Sequence, residues 1–187
     1  MEVDWNKRYR GGFYPASNDA HLLVTKFAPL MPTDRPVIDI AMGTGRDLMF
    51  LTGFGLQLYG LERSWEAVKL AEQAMKEKNA RISVVLGDAN NLPFKKATAG
   101  ALLVFYFLLR KIMPDLNKIL APGGLLIYET FLKKQNEIDR KRNPEYLLDD
   151  GELISYFKDL ELLFYEEGIF VSGGKRRAIA RFVGRKR

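Results

Sequence analysis

"VIDIAMGTGRD", residues 37–47, is an apolar, β-branched run that breaks into a glycine-rich turn. The pattern predicts "PVIDIA" (36–41) as a buried strand and "RDLMFLTGFG" (46–55) as a helix closed by glycine. Glycines in such a turn bring backbone N–H groups close to a bound nucleotide, because no Cβ holds the ligand away. The rhythm then repeats. "QLYGLE" (57–62), "ISVVLGD" (82–88), "GALLVFYFLL" (100–109) and "APGGLLIYETF" (121–131) read as four further strands. Between them, "SWEAVKLAEQAMKEKN" (64–79) reads as a helix with Ser64 as N-cap and Glu66 in its first turn. "LELLFYEEGIFV" (160–171) and "RRAIARFVG" (176–184) are joined by too few residues for a crossover helix, so they pair antiparallel as a hairpin. The expected fold is α/β: a doubly wound, mainly parallel seven-stranded sheet with an antiparallel C-terminal hairpin.

With 187 residues, 47% apolar and 28% charged, the composition is that of a globular protein expected to form one domain, 1–187. No apolar run approaches the roughly 18 residues of a membrane span, and "MEVDWNKRYR" lacks a signal-peptide core, so the cytoplasm is the expected location. Cysteine is absent, which excludes disulfides, thiolate zinc sites and a cysteine nucleophile. His21 is the single histidine, and no metal site is expected. Chemistry must come from a cofactor, carboxylates, tyrosines or positioning. The formal charge of +6 is concentrated late: from Phe170 onward Lys175, Arg176, Arg177, Arg181, Arg185, Lys186 and Arg187 have no acidic residue among them. This run reads as a solubilising edge strand and tail, with a phosphate-backbone surface as the alternative.

The turn discriminates between nucleotides. Gly43-Thr44-Gly45 is followed by Arg46, Asp47 and then Leu48, where a dinucleotide fingerprint needs a third small residue. Asp39 lies inside the strand, where a carboxylate is expected to accept hydrogen bonds from the turn and to face a cationic or amino group of the ligand. Glu62 ends the second strand, suited to ribose hydroxyls, and Asp88 ends the third, suited to an exocyclic amine beside the amide of Ala89. Three carboxylates at successive strand ends repel a pyrophosphate. They suit a ligand with an amine, a ribose and an adenine, and S-adenosylmethionine has that inventory.

These residues resemble the class I S-adenosylmethionine-dependent methyltransferases, from about Pro36 to Thr130 and again in the terminal hairpin. "VIDIAMGTGRD" is similar to the family's D-x-x-x-G-x-G motif, with Met42 where a small residue or cysteine is frequent. "GLERS", "GDANNLPF" and "LAPGGLLIYET" resemble the ribose-binding, adenine-binding and fifth-strand segments. The resemblance implies a Rossmann-like methyltransferase fold, S-adenosyl-L-methionine as cofactor and S-adenosyl-L-homocysteine as product. It places Asp39, Gly43 and Gly45 at the methionine moiety, Glu62 at the ribose, and Asp88 and Ala89 at the adenine with Arg63 beside it. Ala41, Thr44 and Phe105 join the cofactor contacts. Outside the core, "WNKRY", "YETF" and "RNPEYLLDDGEL" resemble small tellurite-resistance-type methyltransferases, in which the N-terminal segment folds over the cofactor. That implies a small soluble acceptor.

Methyl transfer is an in-line displacement from a good leaving group, so positioning can supply on the order of 7–11 kcal/mol. Tyr9, His21 and Tyr106 are the catalytic candidates, with Glu129 as a further candidate base. "VFYFLLR" (104–110) lacks the Asn/Asp-Pro-Pro-aromatic run of enzymes that methylate base or amide nitrogens, which disfavours those acceptors. Tyr106 and Phe107 are expected to line an aromatic wall. Two covers are expected, an N-terminal segment (1–30) and a basic insertion after strand five (131–150). Arg110, Arg140 and Arg142 are positioned to attract an anionic small-molecule acceptor. The alternatives are an RNA acceptor held by the basic C-terminal region and a non-catalytic adenosyl-binding protein. The expected state is a monomer or homodimer without membrane association.

Overall fold

Val37–Ile40 (β1) is buried at every position, because it has a parallel partner on each side and a layer on each face. The computed structural model describes residues 3–12, 19–172 and 174–187. The remaining strands are Leu58–Glu62 (β2), Ser83–Leu86 (β3), Ala99–Phe105 (β4), Leu120–Phe131 (β5), Glu161–Ser172 (β6) and Lys175–Arg185 (β7). They form one seven-stranded sheet in the order β3-β2-β1-β4-β5-β7-β6. β1 to β5 pair in parallel, and β7 runs antiparallel to both β5 and β6. The chain leaves β1 toward β2 and returns on the other side at β4, so a crevice opens at the carboxyl ends of these two strands.

The helices are Trp5–Arg10 (α1), Leu22–Phe27 (α2), Arg46–Leu51 (α3), Trp65–Lys78 (α4), Met113–Ile119 (α5) and Glu152–Tyr156 (α6). Two apolar clusters follow from the alternation of side chains across the strands. Ile38, Ile40, Leu102, Val104 and Tyr128 pack with Leu116 of α5 and Phe157 after α6. Val37, Leu103, Leu125 and Ile127 pack with Leu23 and Val24 of α2, Leu48 of α3 and Val68 of α4. The Ser64 hydroxyl accepts the amide of Ala67 at 3.2 Å and caps α4 as expected. No helix of the described residues is long and apolar enough to cross a membrane.

The terminal hairpin corrects one expectation. β7, which carries the late basic run, is not the edge strand: it lies between β5 and β6. Register sets Arg181 opposite both Glu129 and Glu166, and Arg185 opposite Glu161. Arg181 Nε donates to Glu129 at 2.7 Å and its Nη1 to Glu166 at 2.6 Å. The Lys186 ammonium donates to the carbonyls of Asn117 and Leu120. Arg181 and Arg185 are thus paired with carboxylates across the sheet, and Lys186 is tied to backbone carbonyls.

The basic insertion is likewise closed on itself. Leu132 and Leu148 form a bridge, and Lys133, Lys134 and Arg142 pair with Asp149, Asp150 and Asp139. Buried Gln135 accepts the amide of Ala178 at 2.7 Å, tying the insertion to β7. Residues 1, 2 and 13–18 of the expected N-terminal cover lie outside the described residues.

Met42, the unusual residue of the glycine turn, has its own explanation. Its thioether lies over Gly60 of β2, where a Cβ would collide with the Met42 sulfur and come within 3.1 Å of Leu48. Gly60→Ala is therefore expected to destabilise the fold by about 1–3 kcal/mol through overpacking. Adding Met42→Ala should restore much of the loss, and the two melting curves read this directly. Equal losses in the single and double variants would show that the two side chains do not share this space.

Candidate active site

The turn after β1 is wound tightly enough that alternate residues enter the left-handed region: Ala41 at φ 59°, Gly43 at 59° and Gly45 at 74°. For a non-glycine residue such as Ala41 this costs on the order of 1–2 kcal/mol, so surrounding contacts must hold the turn. Glu62 supplies them. One carboxylate oxygen accepts the amide of Gly43 at 2.9 Å and the other the amide of Ser64 at 2.8 Å. This corrects the expectation that Asp39 takes the turn's amides: the carboxylate of the neighbouring strand does so instead. Asp39, Asp47 and Glu62 are all buried around the turn. Burial pushes the Asp39 carboxyl well above the ordinary range, and the charges of Asp47 and Glu62 add to this while Arg46 opposes it. Burial also raises Glu62, against the pull of the amides of Ser64, Gly43 and Arg63. Asp88 is half-exposed beyond β3, 3.6 Å from Arg63, with Ala89 buried beside it. Thr44 is half-buried in the turn.

α1 covers this turn. Asn6 Oδ1 accepts the Ser64 hydroxyl at 2.9 Å and the Glu66 amide at 3.2 Å, and Arg10 reaches Glu66 at 3.1 Å. A methyl group built on Gly43 would meet the Tyr9 hydroxyl at 2.8 Å, so Tyr9 stands over the turn.

A second cluster lies at the ends of β4 and β5. His21, just before α2, stacks on Phe105 with ring centroids 3.8 Å apart and lies 5.4 Å from the Tyr106 ring. Asp47 fixes it twice, accepting the His21 amide at 2.7 Å and approaching Nδ1 at 2.7 Å. Tyr106 ends β4 with φ at 52° and donates its amide to the Glu129 carbonyl at 2.8 Å. Its ring packs 4.8 Å from Phe131, and Arg177 Nη1 donates to its hydroxyl at 3.3 Å. Burial raises the phenol above its ordinary value, with Glu129 reinforcing and Arg177 opposing. The phenol is therefore held in its protonated form at neutral pH. Arg142 spans Asp139 and the Phe131 face, 4.6 Å from the ring centroid.

Two expected substrate contacts go elsewhere. Phe107 packs with the apolar cluster opposite that of Tyr106, and its carbonyl accepts the Tyr128 hydroxyl at 2.8 Å. The left-handed bend at Tyr106 separates the two aromatics. Arg110 closes the insertion: it donates to Glu152 at 2.9 Å and to the carbonyls of Glu145 and Leu147. Conversely, Asp47, Arg46, Phe131 and Arg177 were not among the expected site residues. Asp47 could have been suspected as a second acid two residues past the turn. Arg177 is legible only once the hairpin register is known.

The model of the family described as "Methyltransferase domain" matches residues 37–124, which hold the turn, Glu62 and Asp88. The cofactor-side stretch of the chain is therefore similar to a methyltransferase domain, and the fold is that of the class I S-adenosylmethionine-dependent methyltransferases. It is 25% identical over 117 residues to the sterol 4-C-methyltransferase strm-1 of Caenorhabditis elegans, covering 58% of this chain and 34% of that protein. It is 27% identical over 124 residues to the ribosomal RNA small subunit methyltransferase J of Bdellovibrio bacteriovorus, covering 65% of this chain and 49% of that protein. The chain thus spans a third to a half of the curated relatives it matches. Among solved structures, TehB from Haemophilus influenzae superposes with a TM-score of 0.76 at 19% identity, over 97% of this chain and 67% of that one. That likeness concerns the fold, including the antiparallel hairpin.

S-adenosylmethionine is the cofactor of this family, and the residues present fit it. The turn is wound through Gly43 and Gly45 with the Tyr9 hydroxyl standing over Gly43, buried Asp39, Asp47 and Glu62 give it the acidic surroundings that suit a cationic group, and Arg63 and Asp88 lie 3.6 Å apart past the ends of β2 and β3.

Proposed function

We propose that the chain transfers a methyl group from S-adenosylmethionine to a small anionic acceptor held against Tyr106 and Phe131. The observation that carries this reading is the Arg177 guanidinium, 3.3 Å from the Tyr106 hydroxyl, with Arg142 on the neighbouring Phe131 ring. Arg177 is the cation of this aromatic wall, beside the single histidine, and Arg142, neutralised by Asp139, packs on the Phe131 ring; the wall forms a place for a compact anion. The bound cofactor supplies an activated methyl group. The chain's own residues supply the rest: Asp39, the turn and Glu62 hold the cofactor, Arg177 orients the acceptor, and the Phe105–His21 stack keeps water out. His21, anchored by Asp47, is the base for an acceptor that must lose a proton. Pairing of Arg181 and Arg185 across the hairpin, with Arg177 turned to the Tyr106 hydroxyl, favours a small acceptor over RNA.

A labelled-methyl screen across small oxyanions, thiols, phenols and total RNA tests this. Incorporation into a small anion is expected. Incorporation into RNA alone would move the reading to an RNA methyltransferase, and cofactor binding without any transfer would move it to an adenosyl-binding protein. Arg177→Met should raise KM for the acceptor at least about tenfold, the loss of one charge-assisted contact, with S-adenosylhomocysteine affinity unchanged. An unchanged KM would remove Arg177 from the acceptor site.

A further inference from the structure

His21 is poorly placed to act as a base in the arrangement seen. Both ring nitrogens are covered. Nδ1 meets Asp47 at 2.7 Å, and Nη2 of Arg46 lies against the Cε1 side of the ring, between the two nitrogens, 3.1 Å from Nδ1 and in contact with Nε2. A guanidinium has donors only, so the nitrogen it crowds, Nε2, carries no proton, and Nδ1–H is left to donate to Asp47. Arg46 also belongs to the cofactor turn: it follows Gly45 directly and is the cation that opposes the raised Asp39 carboxyl. One side chain therefore touches the histidine while sitting among the three carboxylates that receive the cationic end of the cofactor. Its side chain is about a third exposed, which leaves it room to move, whereas His21 and Asp47 are nearly buried.

We propose that Arg46 is a cofactor-operated gate on His21: without cofactor its guanidinium covers Nε2, and with cofactor bound it turns to the carboxylate of the methionine moiety and uncovers that nitrogen. This rests on the methyltransferase reading above. The physical argument is a competition. The cofactor brings a carboxylate and positive charge together into an acidic site. Arg46 gains a charge-assisted partner in the former and leaves the neighbourhood of Asp39 to the latter. In the arrangement seen Arg46 meets His21 charge-to-neutral and Asp47 at the long distance of 3.9 Å, and a carboxylate in full reach of the guanidinium is the stronger partner. Once Nε2 is free, the proton of an acceptor X–H passes to it. The electron pair of the X–H bond stays on X, the atom that takes the methyl group, and the resulting imidazolium is held by Asp47. The acceptor is thereby activated only when a methyl group is present to receive it.

The single histidine makes this directly observable, because 15N-histidine labelling gives one pair of ring-nitrogen signals. S-adenosylhomocysteine is expected to shift the Nε2 resonance toward that of an imidazole nitrogen without a donor, leaving Nδ1 in place. 5′-Methylthioadenosine, which lacks the amino-acid moiety, should bind without that shift. Arg46→Met should show the shifted Nε2 signal with no ligand, and should bind S-adenosylhomocysteine at least about tenfold more weakly while keeping its methylthioadenosine affinity. Arg46→Lys serves as a second, charge-keeping variant. If S-adenosylhomocysteine binds and Nε2 does not move, or if Arg46→Met weakens both ligands equally, the gate is wrong and the methyltransferase reading stands. If neither ligand binds, both fall.

Discussion

Glu62→Ala is expected to weaken S-adenosylhomocysteine binding by at least about tenfold, and to lower the melting temperature of the ligand-free protein as well. The two effects have one origin. The Glu62 carboxylate holds both the cofactor turn, through the amide of Gly43, and the start of α4, through the amide of Ser64. Hydrogen bonds to a charged acceptor contribute roughly 1.5–3 kcal/mol each, and the turn they hold carries left-handed strain at Ala41. Removing the carboxylate leaves two buried amides unpaired and lets the turn relax away from the conformation that fits the ligand. Glu62→Gln separates the contributions. Its amide nitrogen must face one of the two N–H groups, so it keeps one contact and loses the other, and its stability should fall between those of the parent and the alanine variant. Thermal shift and titration calorimetry on the three proteins read both quantities. An alanine variant that melts as the parent does, yet binds weakly, would confine Glu62 to ribose recognition and remove its role in holding the turn.

The fold was legible because it rests on periodicity and spacing. Each buried run of the parallel core gives a strand within a few residues of its expected bounds, and the short connection between the last two runs allows only a hairpin. The convergence of the carboxylates was legible for the same reason: Asp39 lies in β1, Glu62 ends β2 and Asp88 follows β3, and the carboxyl ends of these strands meet at the switch point of the sheet. The proposed acceptor side was not. It is built by contacts distant in sequence, such as His21 with Asp47 and Arg177 with Tyr106, and no local pattern encodes them. The division of labour between carboxylates was hidden too. Side chains alternate along a strand, but which of two neighbouring acids reaches the turn depends on the shift between β1 and β2, where Asp39 pairs with Gly60 and leaves Glu62 beyond the end of β1. Charge runs misled for a related reason. The cations of 131–150 and of β7 find partners only after the insertion closes and the hairpin registers.

Asp39→Asn is expected to stabilise the protein while damaging cofactor binding, and pH is the variable that exposes both. Asp39 is buried in β1 between Gly60 of β2 and Leu103 of β4, with two other carboxylates near it, and its carboxyl is held well above the ordinary range by that burial first. The folded state therefore keeps a proton that the unfolded chain has released. Between the ordinary carboxyl value of about 3.9 and the raised folded value, stability falls as pH rises. Above that window the full cost of a buried charge is present. Asparagine has no such charge, so the variant should melt higher at neutral pH, by roughly 2–4 °C for each kcal/mol recovered. The cofactor reverses the balance. A sulfonium and an ammonium group favour the ionised carboxylate, so binding expels the proton and the affinity for S-adenosylmethionine should rise with pH until Asp39 is ionised in the free protein, then level off. S-adenosylhomocysteine, without the sulfonium charge, should show a shallower rise. Glu62 moves in the same direction, but three backbone amides hold it down, so most of the slope belongs to Asp39. Calorimetry in buffers of different ionisation enthalpy counts the released proton directly. In Asp39→Asn the release should vanish and the affinity should become weak and flat with pH. A variant that melts lower than the parent, or that still releases the proton, would assign the titrating group and the buried strain to another member of the acidic cluster.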